Sequence, residues 1–152
     1  MTLAVNYYPS PSNKGLILLH MMAKNKDSFE EEAVKLQQYY KVIVPDLRGH
    51  GDSDIKFQEL TEDDYKLMIN DVEIVAQYLE QEGVTSISLA GASIGANLAL
   101  LYAKEHDVEK LLLISPGTRL RGLDLFRVQY DKPLLIQVGH YDAYSSISVD
   151  EL

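Results

Sequence analysis

Residues 86–104 contain the feature that most constrains how this chain can fold. A run of small and β-branched residues at 86–90 leads into Gly-Ala-Ser-Ile-Gly at 91–95, and good helix formers follow at 96–104. The first run predicts a buried strand, and the last predicts a helix with apolar residues at helical spacing. A strand that turns directly into a helix strains the backbone of the central residue, Ser93, so Gly91 and Gly95 beside it must lack side chains.

The pattern around Ser93 also has a chemical interpretation. Gly-x-Ser-x-Gly between a strand and a helix is the nucleophile-elbow pattern. The serine would stand at the N-terminal end of the helix, where the backbone N–H of Ile94 is free to meet a developing oxyanion. The pentapeptide alone is weak, because a serine in such a turn can simply cap the helix. The flanking strand and helix favour the catalytic interpretation.

Composition and charge exclude several classes of partner. The chain has 152 residues, 46% of them hydrophobic and 24% charged, which predicts one domain over residues 1–152 with a real core. A net charge of −9 without any Lys/Arg cluster argues against nucleic acid and anionic membranes. The chain has no cysteine, and its four histidines share no metal-ligand spacing, so no metal site is expected.

The beginning of the chain resembles a targeting segment only superficially. Residues 1–22 lack the positively charged start and the small-residue cleavage site of a signal peptide. No apolar run reaches membrane-spanning length. Together with the absence of cysteine, this predicts a soluble, cytoplasmic protein.

Strand-like and helix-like segments alternate along the chain. The predicted strands are 3–8, 15–20, 41–45, 86–90, 110–114 and 134–138. The predicted helices run from about 28 to 39, from 61 or 63 to 81, over 96–104, briefly within 118–130, and over 147–152 behind a cap at Ser146. This order predicts an α/β fold with a mostly parallel sheet and helices on both faces. Sites in such sheets form beyond the carboxyl ends of the strands.

Four motifs at those carboxyl ends occur in the order found in one known family. They are His-Met-Met at 20–22, Asp-Leu-Arg-Gly-His-Gly-Asp-Ser at 46–53, the pentapeptide at 91–95, and Gly-x-x-Asp at 139–142. On these motifs the chain resembles the α/β-hydrolase superfamily over essentially its whole length. Segments 91–100 and 112–117 are similar to small, uncapped bacterial and archaeal esterase-like or lysophospholipase-like members.

The resemblance implies a serine hydrolase that acts on small-molecule carboxylic esters without a metal or organic cofactor. Ser93 would attack the ester carbonyl to form an acyl-enzyme, and Asp142 would orient and stabilise the catalytic imidazole. The backbone N–H groups of Ile94 and of Met21 or Met22 would form the oxyanion hole. Met21 stands where relatives commonly carry glycine, which would narrow the pocket.

Several of these residues also have plainer explanations. Asp142 could be an ordinary turn aspartate, with Asp124 as a weaker rival for the acid. His50 lies in a loop that is structural in the family, and His106 suits the negative end of a helix. We expect His20 to order the oxyanion loop rather than to transfer protons.

The general base is absent from the expected position. In the family the catalytic histidine follows the acid after one more helix and strand, whereas no histidine occurs between His140 and the last residue, Leu152. We therefore expect a C-terminally shortened and strongly impaired hydrolase, because losing this histidine removes on the order of a millionfold in turnover. A histidine supplied from elsewhere, for example by a partner subunit, is one alternative. Another is a non-catalytic, ligand-binding pseudo-hydrolase.

Two further expectations complete this interpretation. A nucleotide-binding α/β protein is disfavoured, because 91–95 matches neither Gly-x-Gly-x-x-Gly nor a P-loop with lysine. Strand 134–138 would lie at the edge of the shortened sheet with apolar surface uncovered, which predicts either a homo-oligomer formed through that edge or poor stability.

Overall fold

The sheet of this protein has six strands. The computed structural model describes residues 2–54 and 56–152, with only the backbone of Glu151. The six strands are β1 (Val5–Tyr8), β2 (Lys14–Leu19), β3 (Lys41–Pro45), β4 (Ser86–Ala92), β5 (Val108–Ile114) and β8 (Leu134–Gln137), while β6 (Arg119–Leu120) and β7 (Leu123–Asp124) pair separately. The order in the sheet is β1–β3–β2–β4–β5–β8. β1 is antiparallel to β3, and the other neighbours are parallel, so the predicted mostly parallel sheet is confirmed.

Helices cover both faces of this sheet, as predicted. The helices are α1 (Glu30–Leu36), α2 (Glu62–Gln81), α3 (Ile94–Glu105) and α4 (Ala143–Glu151). Alternate residues of a strand point to opposite faces of the sheet. Ile17 and Leu19 of β2 pack in the core that holds α2 and α3, whereas Leu16 and Leu18 pack with α1. The first core is the larger, and most of its aliphatic side chains are completely buried.

The longest helix, α2, begins and ends where local signals predicted. Thr61 forms a capping box with Asp64, in which each side chain accepts the backbone N–H of the other residue. Gly83 follows the helix with φ 82°, a left-handed conformation that glycine adopts without steric cost. The first helix is shorter than predicted. Residues Lys26–Phe29 form a 3₁₀ turn, and α1 ends at Leu36 rather than near Tyr39.

Residues 118–130 do not form the predicted short helix. Instead β6 (Arg119–Leu120) and β7 (Leu123–Asp124) pair as a small antiparallel hairpin. Its two turn residues, Arg121 and Gly122, have φ of 52° and 80°. Two successive positive φ angles produce the tight turn that joins antiparallel strands and cannot continue a helix. Within the described part of the chain, this hairpin is the one strand pair outside the main sheet between β5 and β8, and no cap domain is inserted there.

The last helix also starts earlier than predicted. α4 begins at Ala143 and not at Ile147, and its cap is Asp142 rather than Ser146. The Asp142 carboxylate accepts the backbone N–H of Ser145 at 3.0 Å. A carboxylate at a helix N-terminus benefits from the helix dipole in addition to the hydrogen bond, which explains why it sets the start.

β8 is the outermost strand on its side of the sheet, as expected for 134–138, and pairs with β5. The side chains of Leu134 and Leu135 are 40% and 63% exposed. Among the described residues, no helix combines the length and the apolar character needed to cross a membrane.

Candidate active site

Ser93 lies at the junction of β4 and α3 in a strained backbone conformation. Its φ is 52° and its ψ is −118°, outside the regions that residues with a side chain ordinarily occupy. The N–H of Ser93 donates to the carbonyl of Ile114 on β5 at 2.8 Å, which anchors the turn to the sheet. The Ser93 side chain makes no capping hydrogen bond to α3. Ser93 therefore occupies the N-cap position of α3 without using its side chain as a cap.

The two glycines of the pentapeptide are required by close backbone contacts. A Cβ atom on Gly91 would overlap the carbonyl group of Gly95. A Cβ atom on Gly95 would overlap the Leu19 carbonyl and lie 2.8 Å from the His20 carbonyl oxygen. Helix α3 therefore starts in direct contact with the end of β2, which brings the 20–22 loop beside the Ser93 turn.

His20 connects the loop after β2 to the loop after β3. Its side chain is fully buried. The backbone N–H of Leu47 donates to Nε2 at 3.1 Å, so Nδ1 carries the proton and donates to the Met21 carbonyl at 2.8 Å. Burial lowers the pKa of His20 to about 4, so the ring is neutral at physiological pH. Both ring nitrogens are occupied, as expected of a residue that orders the loop.

This anchoring also sets the direction of the next peptide group. The Met21 carbonyl accepts a second hydrogen bond, from the N–H of Lys24, at 3.2 Å. The Met21–Met22 peptide is trans, so its N–H points opposite to its carbonyl. The N–H of Met22 is thus directed away from the two donors that hold the loop, His20 and Lys24.

Asp46 organises the 46–53 loop from inside. Its buried carboxylate accepts the backbone N–H groups of Lys26 and Asp52 at 2.6 and 2.8 Å, and the Lys26 ammonium at 3.0 Å. Burial alone would raise the pKa of Asp46, but these hydrogen bonds outweigh it and lower the pKa. Gly51 has φ 52°, and a Cβ atom there would overlap the Asp46 carboxylate. The loop is therefore built around a buried, charged carboxylate.

Arg48 braces the same loop against α2. Its Nε and Nη2 atoms donate to the two carboxylate oxygens of Asp71 at 2.9 and 2.6 Å, and Asp71 is fully buried. His50 is buried between the rings of His20 and Phe57, each 5.1 Å away, and its Nδ1 donates to the Arg48 carbonyl at 3.0 Å. These contacts agree with a structural role for His50.

Asp142 lies in the turn after β8 and caps α4. The pKa of Asp142 is lowered, first by the backbone N–H of Ser145 and then by the hydroxyls of Ser145 and Ser115. The carboxylate is therefore ionised at neutral pH. Its rival, Asp124, lies in β7 and accepts the N–H of Phe126 at 2.8 Å.

None of the four histidines donates to or accepts from Ser93 in the described structure. His106 is at the opposite end of α3, where Nδ1 donates to the Tyr102 carbonyl at 2.9 Å and Nε2 lies 3.2 Å from Glu73. His140 is exposed and shares the turn of Asp142. Across 2–54 and 56–152, no cluster of three or more His, Cys, Asp or Glu side chains could hold a metal ion.

Ser93 is strained at a strand–helix junction and lies between two glycines that tolerate no side chain. A comparison with protein families agrees with this geometry. A family model described as the alpha/beta hydrolase fold matches residues 15–132. The chain belongs to the alpha/beta hydrolase fold family. The fold and the order of the motifs at the strand ends are those expected from the sequence.

Three relatives show the range of this alpha/beta hydrolase family. Lipase 1 of Psychrobacter immobilis is 31% identical over 102 residues, covering 65% of this chain and 30% of the lipase. A soluble epoxide hydrolase of a Corynebacterium species is 27% identical over 140 residues, covering 90% of this chain and 45% of that protein. The crystal structure of a membrane phospholipase A, a bacterial virulence factor, is 32% identical with a TM-score of 0.59, covering 76% and 36%. The chain spans less than half the length of each.

One residue that supports the site of this alpha/beta hydrolase was missed by sequence reasoning. Asn97 on α3 is fully buried; its Nδ2 donates to the Gly117 carbonyl at 2.6 Å, and its Oδ1 accepts the Gly117 N–H at 3.0 Å. Nδ2 also lies 3.3 Å from the Leu123 carbonyl. A lone asparagine in the otherwise apolar run 94–103 was the available signal, because buried polar side chains need partners.

Proposed function

We propose that Ser93 is the nucleophile of a serine hydrolase that acts on carboxylic esters. The observation that carries the proposal is the strained backbone of Ser93, whose side chain makes no capping bond in return. Such strain costs about 1–3 kcal/mol and is found where it serves a site. Here it lifts a hydroxyl above the carboxyl end of a strand, at the N-terminus of a helix.

The proposed reaction is acyl transfer in two steps. The Ser93 Oγ attacks the ester carbonyl carbon while a base takes the hydroxyl proton, and the carbonyl oxygen becomes an oxyanion. The N–H groups of Ile94 and Met22 (or Met21) are the proposed donors to that oxyanion. The proton passes to the departing alkoxide, which leaves as an alcohol. Water then attacks the acyl-serine and releases the carboxylic acid.

Asp142 is the proposed carboxylate that orients and stabilises the catalytic imidazole. Its lowered pKa keeps it ionised, as a group that stabilises a protonated imidazole must be. It follows β8, and β5 alone separates β8 from the Ser93 strand, β4. Capping α4 and orienting an imidazole are compatible, because a carboxylate has two oxygens and several acceptor sites.

No histidine of the described chain is assigned as the general base in this proposal. His20 uses both nitrogens, His50 is buried against its ring, and His106 lies at the far end of α3. His140 is exposed in the turn of Asp142 and makes no hydrogen bond to Ser93 in the described structure. With none of these positioned as a base, we expect turnover close to the residual level, roughly a thousandfold over water, that binding and an oxyanion hole supply in a serine hydrolase without its histidine.

The substrate class follows from the chemistry of serine. A lipase and a phospholipase A are among the relatives, and so is an epoxide hydrolase. Attack by a serine hydroxyl on an ester gives an acyl-serine, which water can cleave. Attack on an epoxide would give an ether, which water does not cleave at a useful rate. Ser93 therefore favours esters.

Fluorophosphonate labelling tests the nucleophile. We expect slow covalent labelling of the wild-type chain that is absent in Ser93→Ala and unchanged in Ser146→Ala, a control serine that is exposed on α4. Equal labelling of the wild type and Ser93→Ala would mean that other groups react, which contradicts the proposal.

Imidazole rescue tests the missing base. With 4-nitrophenyl acetate, added imidazole can act in place of the histidine as well as in free solution. We expect the imidazole-dependent rate to exceed the free-solution rate for the wild type and to equal it for Ser93→Ala. If the two proteins are equal while both still bind the ester, the chain is a ligand-binding pseudo-hydrolase.

A further inference from the structure

Asn97 is bonded to Ser93 through its backbone and to the turn after β5 through its side chain. Its backbone N–H donates to the Ser93 carbonyl at 3.2 Å in the first turn of α3. Its side-chain amide donates to the Gly117 carbonyl at 2.6 Å and accepts the Gly117 N–H at 3.0 Å. Because one buried amide pairs with both backbone groups of Gly117, it fixes the position of Gly117 relative to the Ser93 turn.

The turn after β5 also contacts the strand that leads to Asp142. We call residues 114–119 the strap. The Ser115 N–H of the strap donates to the Gln137 carbonyl at the end of β8, at 2.8 Å. The Ser115 hydroxyl is one of the groups that lower the pKa of Asp142. The φ of Ser115 is 49°, a conformation that a serine keeps only where surrounding contacts impose it. The strap therefore reaches Asp142 on one side, while Asn97 holds it on the other.

Helix α4, which begins behind Asp142, packs against the same strap. The Tyr144 ring lies on Gly117, where an added Cβ atom would come 2.6 Å from Tyr144 Cε1. The Tyr144 hydroxyl donates to the Arg119 carbonyl at 2.8 Å. The Asp142 carboxylate caps this helix. A displacement of the strap would therefore displace α4 together with its cap.

We propose that Asn97 is a positioning residue that holds Asp142 at a fixed distance and orientation from Ser93 through the strap. This inference rests on the proposed function, in which Ser93 is the nucleophile and Asp142 the carboxylate. An imidazole between them must contact the carboxylate with one nitrogen and the serine hydroxyl with the other. Displacing a catalytic group by about 1 Å can cost about a hundredfold in rate. Asn97 is fully buried, so it acts on this geometry without contacting the substrate.

The asparagine amide is specific to this role. Aspartate has the same shape but no donor for the Gly117 carbonyl, and leucine has neither a donor nor an acceptor. Asn97→Leu therefore removes both bonds to Gly117 and releases the strap from α3. Tyr144→Phe is a milder second variant, because it keeps the ring on Gly117 and removes only the bond to the Arg119 carbonyl. Tyr144 is 54% exposed, so we expect this variant to fold.

An NMR titration of the Asp142 carboxyl group tests the positioning without requiring activity. We expect the pKa of Asp142 to rise toward its ordinary value in Asn97→Leu, because the Ser115 hydroxyl moves with the strap. Tyr144→Phe should give a smaller shift in the same direction.

Two control variants separate positioning from general destabilisation. Asn70→Leu makes the same replacement at an exposed position of α2. Leu79→Ala removes a fully buried side chain near the C-terminus of α2 and opens a cavity there. Neither should change the pKa of Asp142. An unchanged pKa in both Asn97→Leu and Tyr144→Phe, or an equal rise in Leu79→Ala, would overturn the proposal.

A double-mutant cycle tests the same relationship in the hydrolysis of 4-nitrophenyl acetate with added imidazole. The measured quantity is the part of the imidazole-dependent rate that requires Ser93. Asp142→Asn removes the charge and keeps a good helix cap. We expect Asn97→Leu to lower the rate about tenfold or more in the Asp142 protein and to have little further effect in Asp142→Asn.

The cycle distinguishes failure of this inference from failure of the proposed function. Equal fold losses from Asn97→Leu in the two backgrounds would overturn the positioning role while leaving Ser93 as the nucleophile. A rate that does not depend on Ser93 in any variant would contradict the proposed function. The NMR titration would then still decide whether Asn97 positions Asp142.

Discussion

The Nε2 atom of His20 accepts the backbone N–H of Leu47 at 3.1 Å, while Nδ1 of the same ring donates to the Met21 carbonyl. One neutral imidazole thereby joins the loops that follow β2 and β3. A protonated ring cannot accept from Leu47, so protonation breaks the connection. The interaction is therefore specific to one charge state and one tautomer of His20.

The first prediction concerns stability against pH. The pKa of His20 is about 4 in the folded protein and 6.5 in the unfolded chain, so the unfolded state binds more protons between these values. The contribution of His20 to the free energy of unfolding is fully present above pH 6.5 and is lost as the pH falls toward 4. The loss amounts to about 3 kcal/mol at most.

Urea unfolding at pH 7 and pH 4.5 measures this loss. The His20→Asn variant should show a weaker dependence of unfolding free energy on pH than the wild type. An identical pH dependence in wild type and His20→Asn would contradict the assignment.

The second prediction concerns Gly95. Gly95→Ala forces a Cβ atom against the Leu19 backbone, so α3 or the end of β2 must move and the Ser93 turn must distort. We expect a loss of several kcal/mol in unfolding free energy, or failure to fold, together with loss of fluorophosphonate labelling. Gly139→Ala is the control, because its Cβ would lie 3.8 Å from the nearest atom, Asp142 Cβ. The unfolding free energy of the Gly139→Ala variant should change by less than about 1 kcal/mol.

Local signals in the sequence predicted the regular elements well. Strand β3 spans 41–45 as predicted, because an apolar run with β-branched residues is bounded on both sides. Helix α2 starts behind Thr61 because its cap and partner, Asp64, are three residues apart in the sequence. The strain at Ser93 was predictable for the same reason, since the sharp strand-to-helix turn that imposes it is marked by the glycines at 91 and 95.

Long-range contacts explain what the sequence did not predict. The 119–124 hairpin is held by Asn97, whose side chain lies 3.3 Å from the Leu123 carbonyl, 26 residues away. The two hydrogen bonds of His20 likewise depend on how β2 and β3 align. The isolated asparagine indicates that Asn97 needs a partner, but no local pattern says which one, so the sequence favours a helix over 118–130 where the structure has a hairpin.

The third prediction concerns the pair formed by Arg48 and Asp71. Asp71 is fully buried, so Asp71→Ala leaves a guanidinium without its carboxylate. Breaking a buried pair in this way should cost about 3–5 kcal/mol. In Arg48→Met with Asp71→Leu neither charge remains, and the double variant should be more stable than Asp71→Ala. Urea unfolding of the single and double variants measures both effects.

An exposed pair on the same helix provides the control for this comparison. Lys66 and Asp63 are 3.2 Å apart, with side chains that are 54% and 87% exposed. Asp63→Ala should change stability by less than about 0.5 kcal/mol, because water screens such pairs. Equal costs for Asp71→Ala and Asp63→Ala would show that the Arg48 brace contributes no more than a surface pair.

The fourth prediction separates strain from reactivity at Ser93. Glycine adopts a φ of 52° with a ψ of −118° at little steric cost, whereas serine and alanine adopt it only with strain. Ser93→Gly should therefore be more stable than Ser93→Ala by about 1 kcal/mol, after allowance for the greater entropy of glycine in the unfolded chain. Both variants should lose fluorophosphonate labelling. Thermal unfolding and labelling of the same two proteins measure these effects together. If Ser93→Ala is as stable as Ser93→Gly, the backbone stores no strain at this turn, and the main support for a catalytic Ser93 is removed.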